Sequence, residues 1–255
     1  MADAISTKTG AEVERAATRR PLRWRRELLL AAVLYAVYDA VRGQISASTA
    51  RADHDGALLL RWEQSLHLDP EHALNALVTH TTWLAVPACF FYATLHFVVT
   101  PGVLVWTFRR HPERYRHART VLATVTCAAL LGFWLFPAAP PRLLPHAGFL
   151  DTLDVYHGWG WWGAGTSVPT AAAALANDYA AMPSLHLAWA AWAGATVFAL
   201  ASRRWVRAVA VGYPVATALV VLGTANHYLL DVLAGAALWL VAQTAVHYAR
   251  RPRRS

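Results

Sequence analysis

The chain has 255 residues, 56% of them hydrophobic and 15% charged, with 23 Lys+Arg against 15 Asp+Glu and two cysteines. Soluble domains carry about 25% charged residues, so a disordered chain, a coiled coil and a disulfide scaffold are excluded, and a soluble enzyme around one core is disfavoured. The composition fits several membrane spans, and the net charge of +8 has to be read by where it falls.

Residues 1–26 are polar and basic and read as a cytoplasmic tail. Six apolar stretches follow, near 28–45, 82–108, 120–137, 184–202, 207–223 and 228–248. Each reaches or approaches the ~20 helical residues needed to cross a hydrocarbon core. The first is the weakest, because Asp39 and Arg42 follow its apolar run and ISASTA downstream loosely resembles a signal-peptidase site. Retention as a span is preferred, with Asp39 and Arg42 paired three residues apart at its outer end. Cys89 and Cys127 fall inside spans and read as small buried hydrophobes.

With a cytoplasmic N-terminus, 19 of the 23 cations lie in the inner segments up to residue 26, at 109–119, at 203–207 and at 250–254. Arg42, Arg51, Arg61 and Arg142 remain outside. That is a positive-inside pattern, so the charge is a topology signal and nucleic acid is not the expected partner. The expected fold is an all-α integral membrane protein, with six transmembrane helices in a bundle and two long outer loops, about 46–81 and 138–183. Residues 27–249 form a single membrane catalytic domain, and 250–255 a second basic cytoplasmic tail.

The first outer segment interleaves acidic residues with leucines. It reads as two amphipathic helices on the membrane, broken at Asp69-Pro70-Glu71. Leu59, Trp62 and Leu66 would form one apolar face, and Ala73, Leu74 and Leu77 another. The second outer segment is rich in proline and then in glycine and tryptophan. Trp159, Trp161 and Trp162 suit the headgroup level. Arg142, between prolines, is its only Lys or Arg. A guanidinium matches phosphate oxygens bidentately, so Arg142 is a candidate for substrate phosphate as well as for a lipid headgroup.

Two stretches at outer span ends carry the chemistry. In AMPSLHLAWA, 181–190, Pro183 suits a first helical turn, Ser184 and the free amides of that turn attract anions, and His186 follows at once. In TANHYLLDVLAG, 224–235, His227 and Asp231 are four apart and would share one helix face. Asp231 would take the Nδ1–H of His227 and leave Nε2 as nucleophile or base. Tyr92 and His96, also four apart, form either a core hydrogen bond or part of the lipid or headgroup pocket. No CxxC or HExxH spacing occurs, and neither metal nor cofactor is expected.

PSLH followed by HYLLD resembles the second and third signatures of the type 2 phosphatidic acid phosphatase superfamily. Leu185 replaces the usual Gly, Val221 stands at the Arg of the third signature, and the Lys- and Arg-containing first signature is missing. These departures, with His227, Tyr228, Asp231, Val232 and Gly235 in an HYxxDVxxG pattern, are similar to the branch of fungal inositol phosphorylceramide synthase and the sphingomyelin synthases. The resemblance implies that His227 attacks phosphorus to form a phosphohistidine. Asp231 would orient it, and His186 would protonate the leaving alkoxide, then deprotonate the acceptor. Arg142, Asn226 and Ser184 are the candidate replacements for the missing phosphate clamp. Tyr228, Tyr92 and His96 are further candidate substrate contacts. The implied partners are a lipid-linked phosphate and a water or alcohol acceptor such as inositol, at the outer face of the cell membrane. A non-catalytic lipid-binding or lipid-moving protein on the same scaffold is the alternative.

Overall fold

The computed structural model describes residues 24–45, 49–162, 179 and 181–250. The chain divides into two compact units, Met1–Val37 and Tyr38–Ser255. The described part of the first unit is the start of helix α1, Trp24–Ile45. The expected Asp39–Arg42 pair lies outside the described side chains, as do ISASTA in part and most of the Gly/Trp-rich stretch after Trp162.

The regular elements of the second unit are helical among the described residues. They are α2 (Thr49–Ser65), α3 (Glu71–Thr79), α4 (Thr82–Phe90), a π-helical turn (Phe91–Leu95), α5 (His96–Arg110), α6 (Pro112–Leu135), a 3-10 turn (Pro141–Leu143), α7 (Thr152–Val155), a second 3-10 turn (His157–Trp159), α8 (Leu185–Leu200), α9 (Arg204–Gly223) and α10 (Leu229–Ala249). Among the described residues, four segments are long and apolar enough to cross a membrane: Thr82–Arg110, Pro112–Leu135, Arg204–Gly223 and Leu229–Ala249. α8 is equally apolar but has 16 residues, or ~24 Å at 1.5 Å per residue, short of a ~30 Å hydrocarbon core.

α8 is the centre of the bundle, packed on α5, α6, α9 and α10. Trp192 is almost fully buried and its indole donates to the Ala118 carbonyl at 2.8 Å, while the Trp189 indole donates to Thr126 at 3.0 Å. A Cβ on Gly194 would strike the Ala210 carbonyl, so glycine sets how closely α8 and α9 approach. Cys89 is buried as expected, but Cys127 is exposed, on the face of α6 turned away from the core.

α5 ends at Arg110 and α6 begins at Pro112, a first-turn proline, with only His111 between them. α2 and α3 form on either side of Asp69-Pro70. α3 buries Glu71, Asn75 and Thr79 and exposes Leu77; α2 buries Asp55 and Glu63 beside Leu59 and exposes Trp62. The reason is hydrogen bonding. Asn75 clamps the segment that follows α6, donating to the Leu150 carbonyl at 3.0 Å and accepting from the Leu150 amide at 2.8 Å. It also donates to the Gly223 carbonyl at 3.1 Å, and Thr79 and Thr152 hydroxyls meet at 2.7 Å. A buried polar seam needs partners, whereas leucines at a bilayer interface do not.

Candidate active site

The ends of α6, α8, α9 and α10 that carry the candidate residues converge at one end of the bundle. α8 begins at Leu185, with Ser184 as its N-cap; the Ser184 side chain accepts from the Leu187 amide at 3.4 Å. Pro183 therefore precedes the cap rather than occupying the first turn. α10 begins at Leu229 with Tyr228 as N-cap, so His227 stands just before the helix. His227 and Asp231 do meet, but within a cap, with His227 outside the helix rather than on it. Asp231 sits in the first turn, and one oxygen, Oδ2, accepts from the Tyr228 amide at 3.0 Å and meets His227 Nδ1 at 3.3 Å. Helix capping and imidazole orientation are thus done by the same carboxylate oxygen. The turn leading in holds Ala225 at φ 54°, a left-handed conformation uncommon for a residue with a side chain.

The two signature segments are joined through backbone. The Ser184 amide donates to the Asp231 carbonyl at 3.0 Å. A Cβ on Gly235 would run into the Ser184 carbonyl, so the glycine of the HYxxDVxxG pattern is what lets α10 lie against the start of α8. As a result His186 Nδ1 lies 3.3 Å from His227 Nε2. Asp231 is fully buried and His227 is 4% exposed. With Nδ1–H given to Asp231, Nε2 of His227 is the bare nitrogen that faces His186.

Tyr92 and His96 both pack on His186. The Tyr92 ring stacks on it with centroids 4.7 Å apart, and His96 meets it edge-on at 4.4 Å. Tyr92 lies within the π-helical turn Phe91–Leu95 and His96 follows it directly; such turns insert a residue and re-aim side chains.

Arg142 approaches from the 3-10 turn after α6. Its amide donates to the Ala225 carbonyl at 3.0 Å, its Nε to Asn226 Oδ1 at 2.9 Å and its Nη1 to Asp151 at 2.8 Å. Asn226 is 4% exposed and also donates to Thr224 Oγ1 at 2.9 Å. The guanidinium is thereby held against the residue that precedes His227. Asp151 in turn caps α7, accepting from Leu153 at 3.1 Å and Asp154 at 3.2 Å. Tyr228 points elsewhere: it is fully buried and its hydroxyl donates to the Ala139 carbonyl at 2.9 Å.

His186, His227, Asp231 and Ser184 therefore stand together, with Tyr92 and His96 behind His186 and Arg142 and Asn226 beside His227. Sequence reasoning missed Asp151, Asn75 and the buried pair Glu63 and Glu71. Among the described residues no group of His, Cys, Asp and Glu has a metal-holding arrangement. The arrangement can do nucleophilic and proton-transfer chemistry on an anionic group: one oriented imidazole, a second within reach, a helix start and a restrained cation. A sequence model of the PAP2 superfamily matches residues 57–245, which span all of these residues. No curated protein and no solved structure matches the chain.

Proposed function

Because the chain belongs to the PAP2 superfamily, we propose that it cleaves or transfers a phosphoryl-type group of a lipid-linked phosphate through a phosphohistidine on His227. Membership in the superfamily brings the broad activity, phosphoric-ester hydrolysis or transfer on lipid phosphates at a membrane. The observation that carries the finer reading is the row Asp231, His227, His186, with both nitrogen contacts at 3.3 Å. His227 Nε2 would attack phosphorus as His186 gives a proton to the departing lipid alkoxide. His186, now neutral, would take a proton from the acceptor, whose oxygen displaces His227. Asp231 stabilises the positive charge on His227 in both steps. Arg142, turned toward this point by Asn226 and Asp151, and the first amides of α8 would hold the phosphate oxygens.

The acceptor in this reading is water or an alcohol such as inositol, as in the inositol phosphorylceramide synthase-like branch. The same three side chains serve either. The six apolar segments would place the site at the outer face of the cell membrane, with both termini cytoplasmic. The test is purified protein with a panel of lipid phosphates, with and without myo-inositol, reading released phosphate and new lipid products. Turnover that survives His227→Ala would sink the proposal.

A further inference from the structure

Glu63 on α2 and Glu71 on α3 are both fully buried, yet neither belongs to the chemistry above. Glu63 Oε1 accepts from the Leu230 amide at 2.6 Å. Leu230 is in the first turn of α10, one residue before Asp231. Its amide is one of the donors that a helix leaves unpaired at its start. Glu63 therefore caps α10 from another helix, while Asp231 caps it from within. Among the described residues, the remaining oxygen of Glu63 and both oxygens of Glu71 meet no donor. Two ionised carboxyls in that position would be buried anions sharing the single Leu230 donor, beside a third at Asp231, a costly state. The two carboxyls are neighbours, and since carboxylates only accept, a hydrogen bond between them requires a proton on one. Burial first, and then the contact with Glu71, push Glu63 up to about 10.

We propose that Glu63 and Glu71 share one proton, and that the pair acts as a positioning device which fixes the first turn of α10 and so holds Asp231 against His227. This rests on the phosphohistidine reading. The titratable groups facing Glu63 are Glu71 from α3, and Asp231 from α10; Tyr228 lies beside all three. On α2 itself Asp55 is already paired with Arg51 at 3.6 Å. The shared proton lets two acids sit at one helix start with a single added negative charge, which the free amides there favour.

Two measurements on the full-length protein in detergent decide it. Infrared spectroscopy without substrate should show a protonated carboxyl at neutral pH that is absent from Glu63→Gln and from Glu71→Gln. Absence of that band in the parent overturns the pair whatever the enzyme does. In turnover of a lipid phosphate, Glu63→Ala should lose roughly tenfold in kcat with KM little changed, the scale of one lost buried hydrogen bond. Glu63→Gln keeps an acceptor for Leu230 and a donor for Glu71. It should stay within about threefold of the parent and lack the parent's fall at alkaline pH. A Gln variant as slow as the Ala variant, or with the parent's alkaline limb, overturns the positioning role. A parent protein inactive on every lipid phosphate would strike at the phosphohistidine reading, and the infrared band would still decide the pair.

Discussion

At the scale of single residues the two histidines have separable tasks. His227 makes the covalent bond, so every substrate needs it. His186 only moves protons, so its weight grows with the basicity of the leaving group. General acid catalysis is worth about 10²–10⁴-fold for a poor leaving group. His186→Ala should therefore abolish turnover of a lipid phosphate but still permit p-nitrophenyl phosphate to phosphorylate the protein, giving a burst of p-nitrophenol and an acid-labile label. His227→Ala should give neither. Label in His227→Ala but not in His186→Ala would reverse the roles. Arg142 offers a second test. Its Nε and Nη1 reach Asn226 and Asp151 at the same time, a geometry that one ammonium cannot reproduce. Arg142→Lys should cost roughly 10–100-fold in kcat/KM, the size of a lost charge-assisted hydrogen bond; near-parent kinetics would return the phosphate to the start of α8. These residues were legible because short motifs place a histidine at each span end. Glu63, Glu71 and Asp151 were not. Acids in a polar outer segment look solvated, and what marks them is a partner 167 positions away for Glu63 and an arginine nine positions away for Asp151.

At the scale of elements the long apolar runs were readable, because hydropathy summed over ~20 residues overrides local detail. The buried polar seam of α2 and α3 was not. A leucine stripe on an interfacial helix points as readily to lipid as to protein, and here the polar seam around Asn75 decides. Nor could periodicity show that α10 starts after His227, which turns an expected helical pair into a cap. The close contact of α8 and α10 gives this scale its own prediction. Gly235→Ala puts a Cβ against the Ser184 carbonyl, backbone that cannot swing aside. Overpacking of this kind costs about 1–3 kcal/mol, and it pushes His227 away from His186. Activity should fall at least as far as stability. Gly212→Ala on α9 is the control: nothing lies within 4 Å of its Cβ, and a helix-interior alanine should be neutral or favourable by ~0.5–1 kcal/mol. Thermal unfolding and turnover of both variants check the contrast; equal behaviour would remove Gly235 from the construction of the site.

At the scale of the molecule, among the described residues, the chemistry and the basic residues at 109–119, 203–207 and Arg250 occupy opposite ends of the bundle. Arg250 donates to the Arg116 carbonyl at 2.8 Å and to Thr120 at 2.7 Å, tying the end of α10 to the start of α6, while His186, His227 and Arg142 lie at the other end. Cysteines at His157 and Glu113, both exposed, in a chain lacking Cys89 and Cys127, should label oppositely with an impermeant thiol reagent on intact cells. Labelling at position 113 alone would invert the topology. The carboxyl pair sets a further property of the whole fold, its dependence on pH. Glu63 titrates at about 10 in the folded chain against an ordinary 4.5. Between those values the folded chain keeps a proton that the unfolded chain has lost. Its contribution to stability is then complete below about pH 4.5, declines as pH rises, and is gone above about 10. A carboxyl of lowered pKa would give the opposite slope. Glu63→Gln has no such proton to lose, and every other titrating group is common to both proteins. The melting temperature of the parent in detergent should therefore fall relative to that of Glu63→Gln as the pH is raised from about 5 to 10. Parallel curves would mean that Glu63 is ionised in the fold, and the carboxyl pair would then have to be held by something other than a proton.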